Sequence, residues 1–467
     1  MIRYKGNYFS RFIFSHNTEK EVFYGCGHWK RPTHKEGGFH SMVKIMKTEN
    51  QNLKYSDLSK LLLIPSNYNV SNTSKLVSSA IRSNLAYRKL VEIEEKINPV
   101  IDVMQESGLL ISSKWFSEGL NDKRLSLAKL EADLNDCIGG QNDQFNNELV
   151  QGFWKANRLP IAKTAEDLAK YELLHPTYEL VKSIYKNQHY LKQWDTNLKI
   201  DTYEGGNYVR ARGQWKSFST WSGRLTAKEL PLISLPNKMN SYVLPPDNHK
   251  IISVDFSNAE LRALAYHSQC KRMIDEINCG VDHHTQMGRL IQSAVGNERV
   301  INDDGLRQLS KTYTYGKLYG AGTETLRKSL RKLIPEITSV EVDKIKQVHH
   351  NLYPELERFL EQQEQSDALL TPFGKVVPLV KMNKNQKRNY SLQSIVAVLA
   401  KVLMIVASQY YSVIHHKHDE TWIVAPSREP TEVVVELIEN QFLKQVEQLF
   451  PGYPIHRIIT FKLVGGK

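Results

Sequence analysis

The stretch Lys250-Ile-Ile-Ser-Val-Asp255-Phe-Ser-Asn-Ala-Glu260-Leu-Arg262 decides the reading of this chain. Its first half is a short apolar run rich in strand formers, and it ends on an acid. A carboxylate where a buried strand meets a loop needs a partner, because an ionised group is costly to bury unless it is paired or binds metal. A second acid stands in the same setting far along the chain. Val413 to Pro426 reads as a hairpin with Asp419 at its bend, in His418-Asp419-Glu420, just before the apolar strand Thr421-Trp-Ile-Val. Two such acids could jointly hold a divalent cation beside a phosphate, since Mg²⁺ takes one or two carboxylates together with substrate phosphates and water. Singly, each is an ordinary strand-end turn residue. The residues between them shift the balance.

Between them runs Arg307-Gln-Leu-Ser-Lys311-Thr-Tyr-Thr-Tyr315-Gly-Lys-Leu-Tyr319-Gly320. Arg307, Lys311, Tyr315 and Tyr319 recur every four residues, which on a helix makes one slowly drifting stripe. Two cations followed by two aromatics are poor core material. They suit a triphosphate at one end and a flat ring at the other.

The surrounding texture is helical from about Leu90 to Leu134, with a break at Gly108 and a fresh start at Ser112 or Ser113. Helix resumes from about Asn146 to Leu198, broken at Arg158-Leu-Pro160, and Tyr203 to Phe218 alternates like a hairpin around Gly205-Gly206. Residues 260–365 are helical, and 388–412 form a long, mostly apolar helix. Helices bracketing a small sheet indicate an α+β fold.

With 467 residues, 41% hydrophobic and 24% charged, the chain has room for two to four domains and is neither collagen-like, fibrous nor disordered. Cys26, Cys137, Cys270 and Cys279 form no C-x-x-C pair and are too few for a disulfide scaffold, which points to a reducing compartment. The longest apolar run, Ile395 to Ala407, is interrupted by Lys401 and falls short of the roughly 20 residues of a membrane span. Met1-Ile-Arg-Tyr-Lys leads into no secretory core. The expectation is a soluble, cytoplasmic protein of a bacterial or phage-infected cell, with an organelle as the alternative. The net charge is +12, and residues 1–90, with fifteen Lys/Arg against five Asp/Glu, hold +10 of it. A basic leader rich in aromatics suits a polyanionic partner, and equally suits a small basic domain with an aromatic core.

Taken together, the motifs resemble a family A DNA polymerase, the group of bacterial DNA polymerase I and related phage and organellar enzymes. Asp255 to Arg262 resembles the family's motif A, Arg307 to Gly320 its motif B and His418-Asp419-Glu420 its motif C. Ser222-Gly-Arg224-Leu, Asp282-His-His284-Thr, and Asn389 with Gln393 match in order and spacing, and the likeness reaches back to about Leu90. The resemblance implies a right-hand fold: a palm with an antiparallel sheet, helical fingers and a helical thumb, plus the small basic N-terminal segment. The implied domains are the leader 1–90, the thumb 91–205, the palm 206–262 and 389–467, and the fingers 263–388.

It further implies template-directed addition of deoxynucleotides to a primer 3′-hydroxyl. Asp255 and Asp419, with the Phe256 main-chain carbonyl, would bind two Mg²⁺ ions, Mn²⁺ being a possible substitute. Lys311, Arg307 and His284 would meet the triphosphate, with Lys311 as the acid for pyrophosphate departure. Tyr315 would stack on the incoming nucleotide, Tyr319 would guard the template position, and Glu260 would exclude ribonucleotides. Arg224, Asn389, Gln393 and His418 would line the primer–template, and Glu420 would be an accessory acid. The implied partners are primer–template DNA, deoxynucleoside triphosphates and separate replication or repair factors, with the chain a monomer and no membrane involved. Residues 1–90 contain only Glu19, Glu21, Glu36, Glu49 and Asp57, with no Asp-x-Glu, so no proofreading exonuclease is expected there. A single-subunit RNA polymerase is the nearest rival, and Glu260 argues against it. Reverse transcription is the harder alternative to separate, and a polymerase-derived DNA-binding protein without activity would have had no need to keep both Asp255 and Asp419.

This chain also departs from the family pattern. Phe256 replaces the commoner Tyr, and Pro231-Leu-Ile-Ser-Leu-Pro236 stands where a polar minor-groove stretch is usual. Tyr315 is a position where the family has Phe or Tyr, and its hydroxyl governs tolerance of a missing sugar 3′-OH. The expected outcome is ready incorporation of dideoxynucleotides and restored discrimination in Tyr315→Phe, checked by comparing chain-termination profiles of the two proteins.

Overall fold

The computed structural model describes residues 85–465, apart from short stretches at 141–143, 173, 198–200, 203–207, 218–219, 221, 229–231, 235–236, 297–301, 367, 371–375 and 380–381. The described residues all belong to one unit, Asn52–Lys467. Most of the basic leader 1–90 and the polar stretch 66–84 lie outside them.

A first helix, α1 (Leu85–Ser107), ends at Gly108, whose φ of +57° suits a residue without a side chain. A short strand, β1 (Leu109–Ser112), follows before α2 (Lys114–Ile138). The break expected at Gly108 is there. The four residues after it are a strand because Leu109 to Ser112 pair with Tyr208 to Ala211. Then come α3 (Asn147–Ala156), α4 (Ala165–Tyr171) and α5 (Pro176–Asn197), capped at their starts by the side chains of Asn146 and Thr164 in the first two cases. Leu134, Val150, Trp154, Leu168, Tyr178 and Ile184 make their shared core, with the Trp154 indole donating to Thr177 Oγ1 at 2.8 Å.

Four short strands follow, β2 (Asp201–Thr202), β3 (Tyr208–Ala211), β4 (Gln214–Lys216) and β5 (Thr226–Lys228). The expected hairpin over 203–218 is resolved differently. β3 pairs with β2 and β1, whereas β4 pairs with β5. Leu232–Ser234 is a single 3₁₀ turn with Leu232 buried.

The central strand β6 (His249–Phe256) leads into the helices α6 (Ala259–Ser268), α7 (Lys271–Asn278), α8 (His283–Val295), α9 (Asp303–Leu318), α10 (Thr323–Leu330), α11 (Ser339–Leu352) and α12 (Pro354–Gln365). The small pair β7 (Ala368–Leu370) and β8 (Val376–Pro378) precedes α13 (Lys384–Ser408), the hairpin β9 (Ser412–Lys417) and β10 (Glu420–Pro426), then α14 (Thr431–Leu449) and β11 (Ile459–Val464). The main sheet is antiparallel in the order β11-β6-β10-β9. In its two central strands consecutive residues are buried, Ile251 to Val254 in β6 and Thr421 to Ile423 in β10, so the middle of the sheet is covered on both faces.

Helix α13 packs on α1, α6, α14 and the β9–β10 hairpin. It is long and apolar enough to cross a membrane, contrary to the expectation from the Ile395–Ala407 run alone, because it begins eleven residues before Ile395. Burial of 78% of its apolar window inside the protein identifies it as a core helix. Its Lys401 is paired there with Glu94 of α1.

A second core joins α8 to α11 through Met287, Ile291, Leu309, Tyr313, Leu326 and Ile345. Gly288 matters to it, since a Cβ there would collide with the Leu306 carbonyl. The close approach of α8 to α9 follows.

Arg262 of motif A is a buried clamp. Its Nε donates to Ser257 O at 2.7 Å, Nη1 to Pro454 O at 2.8 Å, and Nη2 to His456 O at 2.8 Å and Arg457 O at 3.1 Å. These bonds tie the start of α6 to the loop that feeds β11. Arg262→Met should cost about 3 kcal/mol or more, because it orphans several buried carbonyls at once. Arg262→Lys should not restore stability, since an ammonium cannot span the fork; urea unfolding of the three proteins checks both.

Candidate active site

The two acids meet through backbone pairing. In the β6–β10 ladder Asp255 lies directly opposite Glu420, and Phe256 N–H donates to the Asp419 carbonyl at 3.2 Å. Asp419 sits beside it in the two-residue bend between β9 and β10, whose other member, His418, has a φ of +56°. A left-handed non-glycine residue costs of order 1–2 kcal/mol and tends to mark functional turns.

The carboxylates here are not equivalent. Glu420 accepts from Ser253 Oγ, from the Trp422 indole at 2.6 Å and from Lys462 Nζ at 3.2 Å. Burial alone would raise its pKa, but these donors hold it below the usual carboxylate value. Asp255 is pushed up, mainly by burial and then by the charge of Glu420, with Lys462 offsetting part of the rise. Asp419 is pushed up to about 6 by burial and by the charges of Glu260 and Asp255, against the pull of Arg224. Its Oδ1 is buried with no hydrogen-bond partner. Two crowded carboxylates, one with an orphaned oxygen, beside a third acid that is already satisfied, make a donor set that fits a divalent cation. Among the described residues no point gathers three or more His, Cys, Asp or Glu side chains, so the remaining coordination would fall to backbone, water or substrate.

Of the other predicted residues, Arg224, Glu260 and Tyr315 are near enough to interact electrostatically with Asp419. Arg224 Nη2 pairs with Glu260 Oε1 at 3.0 Å, and the Tyr319 hydroxyl donates to Glu260 Oε2 at 2.6 Å. Tyr315 is pushed up to about 12 by burial and by the charges of Glu260 and Asp419. Its ring lies 6.3 Å from Tyr319 and 5.9 Å from His284, centroid to centroid. His284 is fully buried and held down to about 4 by that burial and by Lys311, so it is neutral at pH 7. Its Nδ1 lies 3.2 Å from Ser310 Oγ, and its Nε2 has no partner. Lys311 is exposed, and Arg307 is ion-paired with Asp282. The helix α9 carries this stripe as expected, with Asn302 capping its start at Gly305 N–H and Tyr319 at its C-terminal cap.

Asn389 and Gln393 lie one turn apart on α13, half-buried, and neither hydrogen-bonds to the carboxylate cluster; the Asn389 side-chain oxygen is buried without a partner. Sequence reasoning missed Ser310, which orients His284, and Lys462, which neutralises the Asp255 side. It also gave Asp282 no role, although its position ahead of an apolar helix marks it as an N-cap: Oδ1 accepts from His284 N–H at 3.0 Å and Thr285 N–H at 3.3 Å.

Residues 125–448 match the sequence model of DNA polymerase family A. The chain belongs to that family. It is 23% identical over 331 residues to the DNA polymerase of Mycobacterium phage D29, covering 66% of this chain and 52% of that one. It is 22% identical over 400 residues to DNA polymerase I of Caldicellulosiruptor bescii, covering 77% and 45%. The chain thus spans about half the length of these relatives. Its fold is similar to the polymerase domain of Pol1 from M. smegmatis, solved with DNA primer–template and dNTP, at a TM-score of 0.64 and 15% identity, with 90% of this chain and 80% of that one covered. The architecture is accordingly the α+β right-hand polymerase fold.

The raised Asp419 pKa has a measurable sign. A carboxyl whose folded pKa lies above its unfolded value of about 4 costs stability as pH rises between roughly 4 and 6, and the full cost persists above 6. In chelator-treated protein, Asp419→Asn should therefore gain roughly 2 kcal/mol at pH 7.5, with the gain fading as pH falls to about 4. Added Mg²⁺ should raise the Tm of the unsubstituted protein at pH 7.5 but scarcely that of the variant; thermal unfolding across pH checks both.

Proposed function

We propose that this chain is a DNA-directed DNA polymerase that extends a primer 3′-hydroxyl with deoxynucleoside triphosphates. The observation that carries the reading is the convergence of Asp255 and Asp419, one with an orphaned oxygen, beside Glu260 and the Tyr315 end of the Arg307–Tyr319 stripe. Asp255 and Asp419, with the Phe256 main-chain carbonyl, would hold two Mg²⁺ or Mn²⁺ ions, which would supply activation of the attacking hydroxyl and charge neutralisation on the leaving pyrophosphate.

The remaining roles belong to the chain's own groups. Lys311 and Arg307 bind the triphosphate by charge, and Lys311 can deliver a proton to the departing pyrophosphate. His284 is neutral, with Nδ1 3.2 Å from Ser310 Oγ; in the tautomer where Ser310 donates to Nδ1, Nε2–H is the donor left for phosphate. Tyr315 offers its face to the incoming base and sugar. Glu260, fixed from both sides by Arg224 and Tyr319, fills the space beside the sugar C2′ and rejects a 2′-hydroxyl. Tyr319 stands at the template position, while Arg224, His418, Asn389 and Gln393 line the primer–template. Glu420 supports the site as an accessory acid.

The corresponding domain division is thumb 91–205, palm 206–262 with 389–467, and fingers 263–388, with 1–90 as a basic DNA-holding segment. No proofreading centre is assigned within these 467 residues, because 1–90 contain no Asp-x-Glu. Glu260 senses the incoming sugar and not the template, so RNA-templated synthesis is the second activity to measure.

Primer extension with DNA and RNA templates, each given deoxy- or ribonucleotides, tests the reading. Deoxynucleotide addition on DNA is expected, and Asp255→Ala or Asp419→Ala should each reduce it by about a thousandfold or more. Glu260→Ala should admit ribonucleotides. Full synthesis by either aspartate variant would sink the assignment.

A further inference from the structure

Arg307 belongs to the stripe that the proposed function assigns to the triphosphate, yet its guanidinium is already occupied. Nη1 is paired with Oδ2 of Asp282, while Oδ1 of the same carboxylate caps α8 through His284 N–H and Thr285 N–H. One aspartate therefore performs two tasks with its two oxygens. The capping task needs only a side-chain oxygen. The pairing task needs a negative charge, and it puts that charge where a polyanion has to arrive.

The neighbours make that charge consequential. His284 contributes no positive charge at neutral pH, because burial and Lys311 hold it protonation-resistant. Lys311 is exposed and makes no ion pair among the described residues, so it is the single unneutralised cation of the stripe. The close approach of α8 and α9 at Gly288 brings the Asp282 cap alongside Arg307.

We propose that Asp282 is a positioning residue that competes with the nucleotide's phosphates for Arg307. It holds the guanidinium in place between turnovers, weakens the site's grip on bare polyphosphate, and recaptures Arg307 as pyrophosphate leaves. This inference rests on the polymerase reading above. The pair is half-exposed on both sides, at 38% and 42% side-chain exposure, so it is open to exchange with an incoming anion. A pair of this kind lowers the apparent affinity for a competing anion by roughly two- to sixfold, through the fraction of time the guanidinium is occupied. Loss of the repelling carboxylate adds to that.

The test exploits the split between the two tasks. Asn is as good an N-cap as Asp, so Asp282→Asn keeps the helix start and removes the charge. In the full chain, inorganic tripolyphosphate and pyrophosphate binding are measured by calorimetry with Mg²⁺, alongside KM and kcat for a deoxynucleotide and thermal unfolding. Asp282→Asn is expected to bind both anions at least two- to sixfold tighter, to be more strongly inhibited by pyrophosphate, and to lower KM without raising kcat, at an unchanged Tm. The gain should shrink at about 0.5 M KCl, where charges are screened beyond a few ångströms. It should fall to the smaller gain from lost repulsion alone when the same substitution is made in Arg307→Ala, and Asp282→Glu should bind these anions as the unsubstituted protein does.

Unchanged anion affinity in Asp282→Asn overturns the proposal, and so does an equal gain with or without Arg307. If Arg307→Ala and Lys311→Ala both leave tripolyphosphate binding intact, the assignment of the stripe to the triphosphate fails instead, which is a separate and recognisable result.

Discussion

The structure depends on the antiparallel registration of β6 with β10. That ladder sets Asp255 against Glu420, and the Phe256 N–H to Asp419 carbonyl bond draws the hairpin bend onto the end of β6. The pairing forces like charges together in a partly buried place, which folding alone would avoid. The sheet tolerates the conflict because the middle of its two central strands is buried and because Arg262 bolts the strand's exit to the loop before β11. Stability elsewhere in the palm offsets a local cost that is useful only when something positively charged arrives.

The acids around that point are sorted by what donates to them. Glu420 has Ser253, Trp422 and Lys462, and is held ionised and satisfied. Glu260 has Arg224 and Tyr319, which fix its carboxylate rather than silence it. Asp419 has an oxygen that nothing donates to. The metal-binding role proposed above falls on the acid that the protein leaves unserved, set apart by its unsatisfied oxygen from two satisfied neighbours.

Much of this was legible in the sequence, and the exceptions have physical causes. Lys250 to Phe256 and the Val413–Pro426 hairpin announce themselves because a short β-branched run bounded by turn residues has few alternatives. The stripe on α9 is legible because its four-residue spacing survives any small error in the helix ends. Leu109 to Ser112 were not, since three apolar residues and a serine between two helices fit either state, and only pairing with β3, a hundred residues on, makes them a strand. The β4–β5 pairing was hidden for the same reason. Arg262 reads as one more charged helix residue, because its partners are main-chain carbonyls at 257, 454, 456 and 457, and carbonyls leave no trace in a sequence. The apolar length of α13 misleads in the other direction: nothing in its composition distinguishes lipid from the protein that surrounds it.

The linkage between the sheet and the helices is what turns two motifs into one site. Glu260 begins a helix that grows directly from the end of β6, and its two oxygens reach in different directions, to Arg224 before the sheet and to Tyr319 at the end of α9. The position of the α9 C-terminus is thus tied to the strand that carries Asp255, and Tyr315, one turn earlier, feels the charges of both Glu260 and Asp419. At the other end of α9, Arg307 is tied to the α8 cap, and His284 is held through Ser310. A helix anchored at one end to the acids and at the other to a neighbouring cap presents its cations and rings along a fixed line. The spacing between the cations proposed to take a triphosphate and the pair of aspartates is therefore set by the length of α9 and by these end contacts, not by any single residue along it.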